Sequence, residues 1–404
     1  MTYEETVEYL FNSTPLFQNV GKEAYKEGLA NTLALDAHFG HPHTTFKTIH
    51  VGGTNGKGST SHSLASVLQC AGYKVGLFTS PHLKDFRERI RINGEMISED
   101  YVVRFVEEHR GFFEPLHPSF FELTTALAFK YFAEQKVDVA VIEVGLGGRL
   151  DCTNIISPVL SIITNISFDH VQFLGNTLEK IAGEKAGIIK HGVPVVIGET
   201  TPETRPVFEA KAKAVDTELV FAEEQDVDEV PFELGGDYQK KNLRTILTAL
   251  GILKHTFCIS KENILEGLST VCRRTGLMGR WQTLNTCPTV VCDVGHNVGG
   301  FEYIVKQLAR QKYATLRIVI GMVNDKDING VLALLPKQAT YYFTRAKVRR
   351  AIQPEELQEK AREYKLKGNC YPTVADAYKV AMQEASTDDF IFIGGSCFVV
   401  AEAL

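Results

Sequence analysis

The sequence predicts a two-domain α/β protein in which parallel strands alternate with helices. Three observations carry that expectation. Short apolar, β-branched runs recur along most of the chain, with helical stretches between them. A glycine-rich loop joins the first of these runs to a helix. A chain of 404 residues is also too long for one ordinary core.

In the N-terminal part the strands fall at 47–51, 74–79, 137–144, 159–165 and 193–198, and 120–135 reads as a helix. Near 271–286 the pattern turns irregular, with Arg273, Arg274, Gly276, Gly279 and Arg280 in one stretch. A second α/β series follows, with strands at 289–294, 317–322, 339–343 and 390–394 and helices at 354–364 and 374–384. The expected domains are therefore 1–272 and 285–404, with a P-loop-type parallel sheet in the first and a Rossmann-like arrangement in the second. Arg280 is then a hinge arginine, placed to meet a bound nucleotide.

The loop Gly53-Thr54-Asn55-Gly56-Lys57-Gly58-Ser59 carries the most chemistry. Glycines let backbone N–H groups approach phosphate oxygens, and the following helix, expected from about residue 59, adds positive potential at its N-terminus. Lys57 supplies a point charge to the β and γ phosphates. The usual phosphate loop has Ser or Thr directly after its lysine to ligate magnesium. Here Gly58 stands there and Ser59 comes one position late, so an ATP site needs its metal ligand elsewhere. A switch or motor ATPase stays open on this loop alone.

Three further segments follow strands, where open α/β sheets bind ligands. Ser80, in Thr79-Ser80-Pro81-His82-Leu83, can give the missing hydroxyl, although Ser-Pro after a strand is also an ordinary turn. Glu143 interrupts an apolar run, where a buried carboxylate needs a cation. Mg²⁺ bridging phosphates suits it, and a lysine partner is the other option. His170 closes Ser167-Phe168-Asp169-His170; a lone loop histidine is usually structural, though its place beyond a strand next in sequence to that of Glu143 counts toward a ligand role. Lys185, by itself, reads as a solvated helix residue.

Composition bounds the rest. Hydrophobic content of 44% and charged content of 23% are those of a globular protein. A net charge of −6 argues against a general nucleic-acid surface. No run of eighteen apolar residues and an acidic Met1-Thr2-Tyr3-Glu4-Glu5 start point away from the membrane and toward the cytoplasm. Eight scattered cysteines without metal spacing read as reduced, mostly buried thiols.

Together, 53–59, 79–83, 143–151, Asp169-His170, 184–188, Met278-Gly279-Arg280-Trp281 and Asp293-Val294-Gly295-His296-Asn297 resemble the folylpolyglutamate synthase/dihydrofolate synthase family of the Mur ligase superfamily. The resemblance spans nearly the whole chain. It implies an ATP-dependent ligase that adds L-glutamate to dihydropteroate or to tetrahydrofolate polyglutamates through an acyl phosphate. It places ATP on Thr54, Asn55, Gly56, Lys57, Gly58, Ser59, Asn242, Arg280 and Asp293. It places two Mg²⁺ ions on Ser80, Glu143, His170 and a carbamylated Lys185. The pterin side falls on Gly28, Leu29, His82, Ser119, Phe120, Phe121, Glu122, Leu150, Asp151 and Cys152, although Phe120 and Phe121 also read as core. His296 is a candidate for the γ-phosphate or the incoming glutamate, against a structural role.

Three departures stand out: Tyr238 for a histidine, Met278 for a proline, and Asp-Val-Gly-His for Asp-Gly-Ala-His. A peptidoglycan Mur ligase is the nearest alternative, but the roughly fifty residues before the loop are few for the extra domain such enzymes carry. The other is a non-ligase P-loop switch or ATPase, which leaves Glu143, His170 and Lys185 unexplained. Segments 119–122 and 150–152 lean toward action on both acceptors, and the family toward a monomer.

Overall fold

The computed structural model describes residues 1–13 and 28–404. The chain forms two compact units. The first comprises 1–167, 171–233 and 240–277, and the second 168–170, 234–239 and 278–404.

The first unit is built on eight strands: β1 (Lys47–Gly52), β2 (Val75–Phe78), β3 (Ile90–Ile92), β4 (Glu95–Met96), β5 (Val139–Glu143), β6 (Leu160–Ile163), β7 (Val195–Ile197) and β8 (Leu219–Phe221). Their order is β4-β3-β2-β5-β1-β6-β7-β8. Pairing is parallel from β2 across to β8, and antiparallel at the β2-β3-β4 edge. Strands buried on both faces need nearly continuous apolar sequence, and Val-Ala-Val-Ile in β5 supplies it. Val139 and Val141 pack with Ile49, Val51 and Leu64 on one face, while Ala140 and Ile142 pack with Phe78, Phe129 and Phe132 on the other. The β1–β5 register sets Val51 beside Glu143, so the phosphate loop and the carboxylate leave the sheet at the same edge.

The second unit holds β9 (Gln282–Thr286), β10 (Thr289–Cys292), β11 (Leu316–Ile320), β12 (Thr340–Phe343), β13 (Lys367–Cys370) and β14 (Phe390–Gly394). They run β13-β12-β11-β14-β10-β9, with only β9 antiparallel to its neighbour. Val291, Ile318, Ile320 and Phe392 face one core, and Val290, Val319, Ile391 and Ile393 the other.

Three expectations need correction. The stretch 271–286 is not irregular throughout, since it contains a helix (Val271–Thr275) and edge strand β9. An edge strand needs no apolar alternation, so Gln282–Thr286 and Lys367–Cys370 give no hydrophobic signal. The helix after the phosphate loop begins at Lys57, because Gly56 in a left-handed conformation caps it. The cysteines form no disulfide among the described residues, but only Cys292 is buried while Cys258 and Cys287 are exposed. Cys70, Cys152 and Cys397 stand at element ends and are partly buried. Among the described residues no helix is long and apolar enough to cross a membrane.

Candidate active site

The phosphate loop is held by its backbone. Gly53 has φ +136° and Gly56 φ +87°, conformations that favour glycine. A Cβ on Gly53 would lie 1.9 Å from Thr164 Oγ1, and one on Gly56 2.3 Å from Asn242 Oδ1. Residues beyond β6 pin the loop: Thr54 N donates to Asn165 O at 2.9 Å, Asn55 N to Asn165 Oδ1 at 2.9 Å, and Thr164 Oγ1 to Asn55 O at 2.6 Å. Lys57 Nζ curls back to Gly53 O and Thr54 O, both at 3.1 Å.

Lys185 joins it. Its side chain is buried, and Nζ donates to Gly53 O at 2.9 Å. The reading of Lys185 as a solvated helix residue is therefore wrong. The helix Leu178–Lys185 ends against the phosphate loop, a placement that helical periodicity does not encode. Two lysines thus converge on one carbonyl of the loop.

Glu143, at the end of β5, is 4% exposed, and Ser80 N lies 3.4 Å from its Oε2. Ser80 follows β2, the strand beside β5, so the sheet itself brings Ser80 and the carboxylate together. Hard oxygen donors in this number suit Mg²⁺, which takes one or two protein carboxylates and fills its shell with phosphate and water. Among the described residues no group of three His, Cys, Asp or Glu side chains forms a self-contained metal cage. The donor set and the glycine cradle therefore fit a nucleotide-borne magnesium.

His170 belongs to the second unit, in a left-handed conformation with φ 50°. Burial, and then the charge of Lys326, push its imidazole down to about 3. Its neighbour Asp169 is a hub. It accepts from Lys326 Nζ at 2.6 Å and Asn297 Nδ2 at 3.1 Å, and lies 3.4 Å from His296 Nε2. Burial would raise the Asp169 carboxyl, but His296, His170 and Lys326 hold it well below the carboxylate range. Sequence reasoning missed Lys326 and gave Asp169 no role. The signal available was a lysine between two aspartates, Asp325-Lys326-Asp327, just beyond a strand.

Asp293, also in the second unit, accepts from Tyr238 Oη at 2.6 Å, Trp281 N at 2.9 Å and Gly295 N at 2.8 Å. Burial raises its carboxyl, and the Tyr238 bond opposes that. Tyr238 is thus a direct partner of a predicted ATP residue. Arg280 is one residue before Trp281 in the same unit, whereas Asn242 lies in the first unit against Gly56.

The residues expected on the acceptor side all lie in the first unit. Gly28 has φ +103°, and Leu29 precedes the helix Ala30–His38. Ser119 and Glu122 form a reciprocal cap on the helix Phe120–Glu134, with Ser119 N donating to Glu122 Oε2 at 2.6 Å. Asn31 Nδ2 reaches Leu116 O at 3.2 Å, next to that cap. Phe120 is buried and stacks on Phe11 at 5.0 Å, so it is a core residue. Phe121 is half-buried, and a Cβ on Gly145 would meet its Cζ at 2.5 Å. Arg89 Nε donates to His82 Nδ1 at 2.7 Å; burial, then Arg89, lower the His82 imidazole to about 3. Leu150, Asp151 and Cys152 follow the glycine turn 145–148, and Asp151 Oδ2 accepts from Leu146 N at 2.8 Å.

Known proteins resemble this chain in sequence and fold. The model of the Mur ligase middle domain matches residues 51–248, and that of the Mur ligase glutamate ligase domain matches 279–397. The dihydrofolate synthase/folylpolyglutamate synthase of Bacillus subtilis (strain 168) is 35% identical over 418 residues, covering 94% of this chain and 95% of its own. The structure of E. coli FolC in complex with DHPP and ADP is similar with a TM-score of 0.86 at 30% identity, covering 100% of this chain and 97% of that one. A crystal structure of a bifunctional folylpolyglutamate synthase/dihydrofolate synthase with Mn, AMPPNP and L-glutamate bound gives the same TM-score of 0.86 and 30% identity.

Proposed function

This chain belongs to the folylpolyglutamate synthase/dihydrofolate synthase family of Mur ligases, and we propose that it joins L-glutamate to a pterin-bearing carboxylic acid at the expense of ATP. The observation that carries the reading is the pinned glycine loop, with Lys57 and Lys185 on the Gly53 carbonyl in the unit that also pairs Ser80 with Glu143. A nucleotide switch needs neither Lys185 nor the second α/β unit, and the relatives named above are folate-type synthases by name.

A carboxylate does not react with an amine, because its oxygen is a poor leaving group. The acceptor carboxylate therefore attacks the γ-phosphorus of ATP, ADP departs, and an acyl phosphate results. The glutamate amine adds to the acyl carbon and loses a proton, and the tetrahedral intermediate expels phosphate as the amide forms. Lys57 leaves its loop carbonyls for the phosphoryl oxygens and holds their charge through transfer. The N–H groups of 54–59 and the start of the helix Lys57–Cys70 orient the phosphate chain. Bound Mg²⁺ supplies further charge neutralisation, with Ser80 and Glu143 as its first donors. His170 is a further proposed donor. Lys185, a buried lysine, acts as a carbamate: its neutral amine adds CO₂ and releases a proton, which would give an anionic oxygen donor.

The domain over 1–272 handles ATP and the acceptor, with Asn242 on the nucleotide and Asp151 on the pterin side. The domain over 285–404 handles glutamate, with His296 orienting the amine. Arg280 and Asp293 serve the nucleotide. Both acceptors are substrates, and the enzyme works as a cytoplasmic monomer. The test is phosphate release with Mg-ATP and glutamate, comparing 7,8-dihydropteroate with tetrahydrofolate, with product mass read for one added glutamyl unit. Turnover of both is expected. Turnover of tetrahydrofolate alone removes the dihydrofolate synthase half, and turnover of neither refutes the reading.

A further inference from the structure

A histidine inside a parallel central strand has no water to hydrogen-bond, so its partners must come from the protein. His50 lies between Ile49 and Val51 in β1, fully buried, opposite Ile142 of β5 and Ser161 of β6. Its Nε2 is 2.8 Å from Thr153 Oγ1. That hydroxyl also meets Asp151 Oδ1, which takes the Thr153 backbone N–H at 3.0 Å as well. A hydroxyl has one proton to give. Burial raises the Asp151 carboxyl, while bonds from Thr153 Oγ1, Leu146 N and Thr153 N oppose that. As the carboxylate those donors select, Asp151 only accepts, so Thr153 donates to it and receives the Nε2–H of His50. Burial, then Lys190, lower the His50 imidazole to about 3, which leaves it neutral and able to give only one N–H.

We propose that His50 and Thr153 are positioning residues for the acceptor acid: a one-way hydrogen-bond chain from β1 through Thr153 fixes Asp151 and the turn that carries it. This rests on the reading of Asp151 as a pterin-side residue. The other Asp151 oxygen is tied to Leu146 N, so the carboxylate is held at one end by the glycine turn and at the other by Thr153, which His50 of β1 holds in turn. Thr153 lies behind the site, fully buried. It acts on substrate only through Asp151.

The experiment is steady-state kinetics of Thr153→Val and Thr153→Ser, with KM read separately for 7,8-dihydropteroate or tetrahydrofolate, ATP and glutamate. Valine keeps the shape and the backbone N–H but leaves Asp151 and His50 without the hydroxyl. Thr153→Val should raise the acceptor KM about tenfold while the ATP and glutamate values stay within about twofold, and Thr153→Ser should restore it. Equal rises in all three values, or no rise in any, overturns the positioning role. A ¹⁵N-histidine spectrum of the free protein gives a readout that needs no turnover: His50 should carry its proton on Nε2. A proton on Nδ1 overturns the direction of the chain. Wild-type protein that turns over neither acceptor overturns the acceptor reading itself, whereas normal turnover with an unchanged Thr153→Val acceptor KM overturns only the positioning claim.

Discussion

Gly53→Ala puts a methyl group where the phosphate loop crosses the end of β6, and the structure allows its effect to be worked out. At φ +136° a residue with a side chain is strained, by about 1–3 kcal/mol. The new Cβ would sit 1.9 Å from Thr164 Oγ1 and 3.0 Å from Thr164 N. Thr164 must move, and its hydrogen bond to Asn55 O at 2.6 Å goes with it, about 0.5–1.5 kcal/mol. Forcing the methyl into filled space adds about 1–3 kcal/mol. The loop can escape the sum, about 3–7 kcal/mol, only by turning its Gly53 peptide away. That turn removes the carbonyl on which Lys57 and Lys185 meet. The loss should therefore appear in nucleotide binding, with Mg-ADP affinity falling by about a hundredfold or more, since each 1.4 kcal/mol is about tenfold. Titration calorimetry on Gly53→Ala, Thr164→Ala and the double variant measures it. Removing Oγ1 still leaves the Thr164 Cβ at 3.1 Å, so the double variant should recover part of the loss, with a coupling of about 1–3 kcal/mol. Wild-type Mg-ADP affinity in Gly53→Ala, at an unchanged melting temperature, would refute the argument.

Glu143→Gln keeps the shape at the end of β5 but removes the charge; turnover should fall by about a hundredfold or more and the Mg²⁺ requirement should rise, at an unchanged melting temperature. A normal Mg²⁺ titration would end the metal assignment. Acid should destabilise the first unit through His50, whose folded value of about 3 lies below the ordinary 6.5. Between those values the unfolded chain binds a proton that the folded chain refuses, so stability falls as pH drops; the His50 share is about 2 kcal/mol from pH 6.5 to about 5, and His82 adds a like share. Urea midpoints at both pH values test this, and His50→Gln should flatten the slope. In the second unit Asp389 accepts from Arg317 Nε at 2.9 Å, Thr315 N at 3.0 Å, Ser386 N at 3.1 Å and Ser386 Oγ at 3.0 Å. Asp389→Ala strands those donors and should cost about 3–5 kcal/mol, read from the urea transition of Trp281 fluorescence, the chain's one tryptophan. A shift under about 1 kcal/mol contradicts the count of donors.

Much of the candidate site was legible in the sequence because its signals are local. The glycine loop, the hydroxyl of Ser80 and the anomaly of Glu143 in an apolar run each follow from residue type and position next to a strand. The central strands were legible for the same reason, since burial on both faces forces continuous apolar runs such as Val139–Glu143. Strands β9 and β13 were not, because an edge strand satisfies its backbone on one side and imposes no pattern on its side chains.

By itself the sequence determined the α/β class, the glycine loop after β1 and, through its ordered motifs, the family. Only the tertiary structure decided which distant residues meet. It put Lys185 on the carbonyl of Gly53, Lys326 and Asn297 around Asp169, Tyr238 on Asp293, and His50 beneath Thr153 and Asp151. Local propensity sets the conformation of neighbours along the chain. Pairs separated by dozens of residues are set by strand order and register, which arise only when the apolar faces of many elements are buried together.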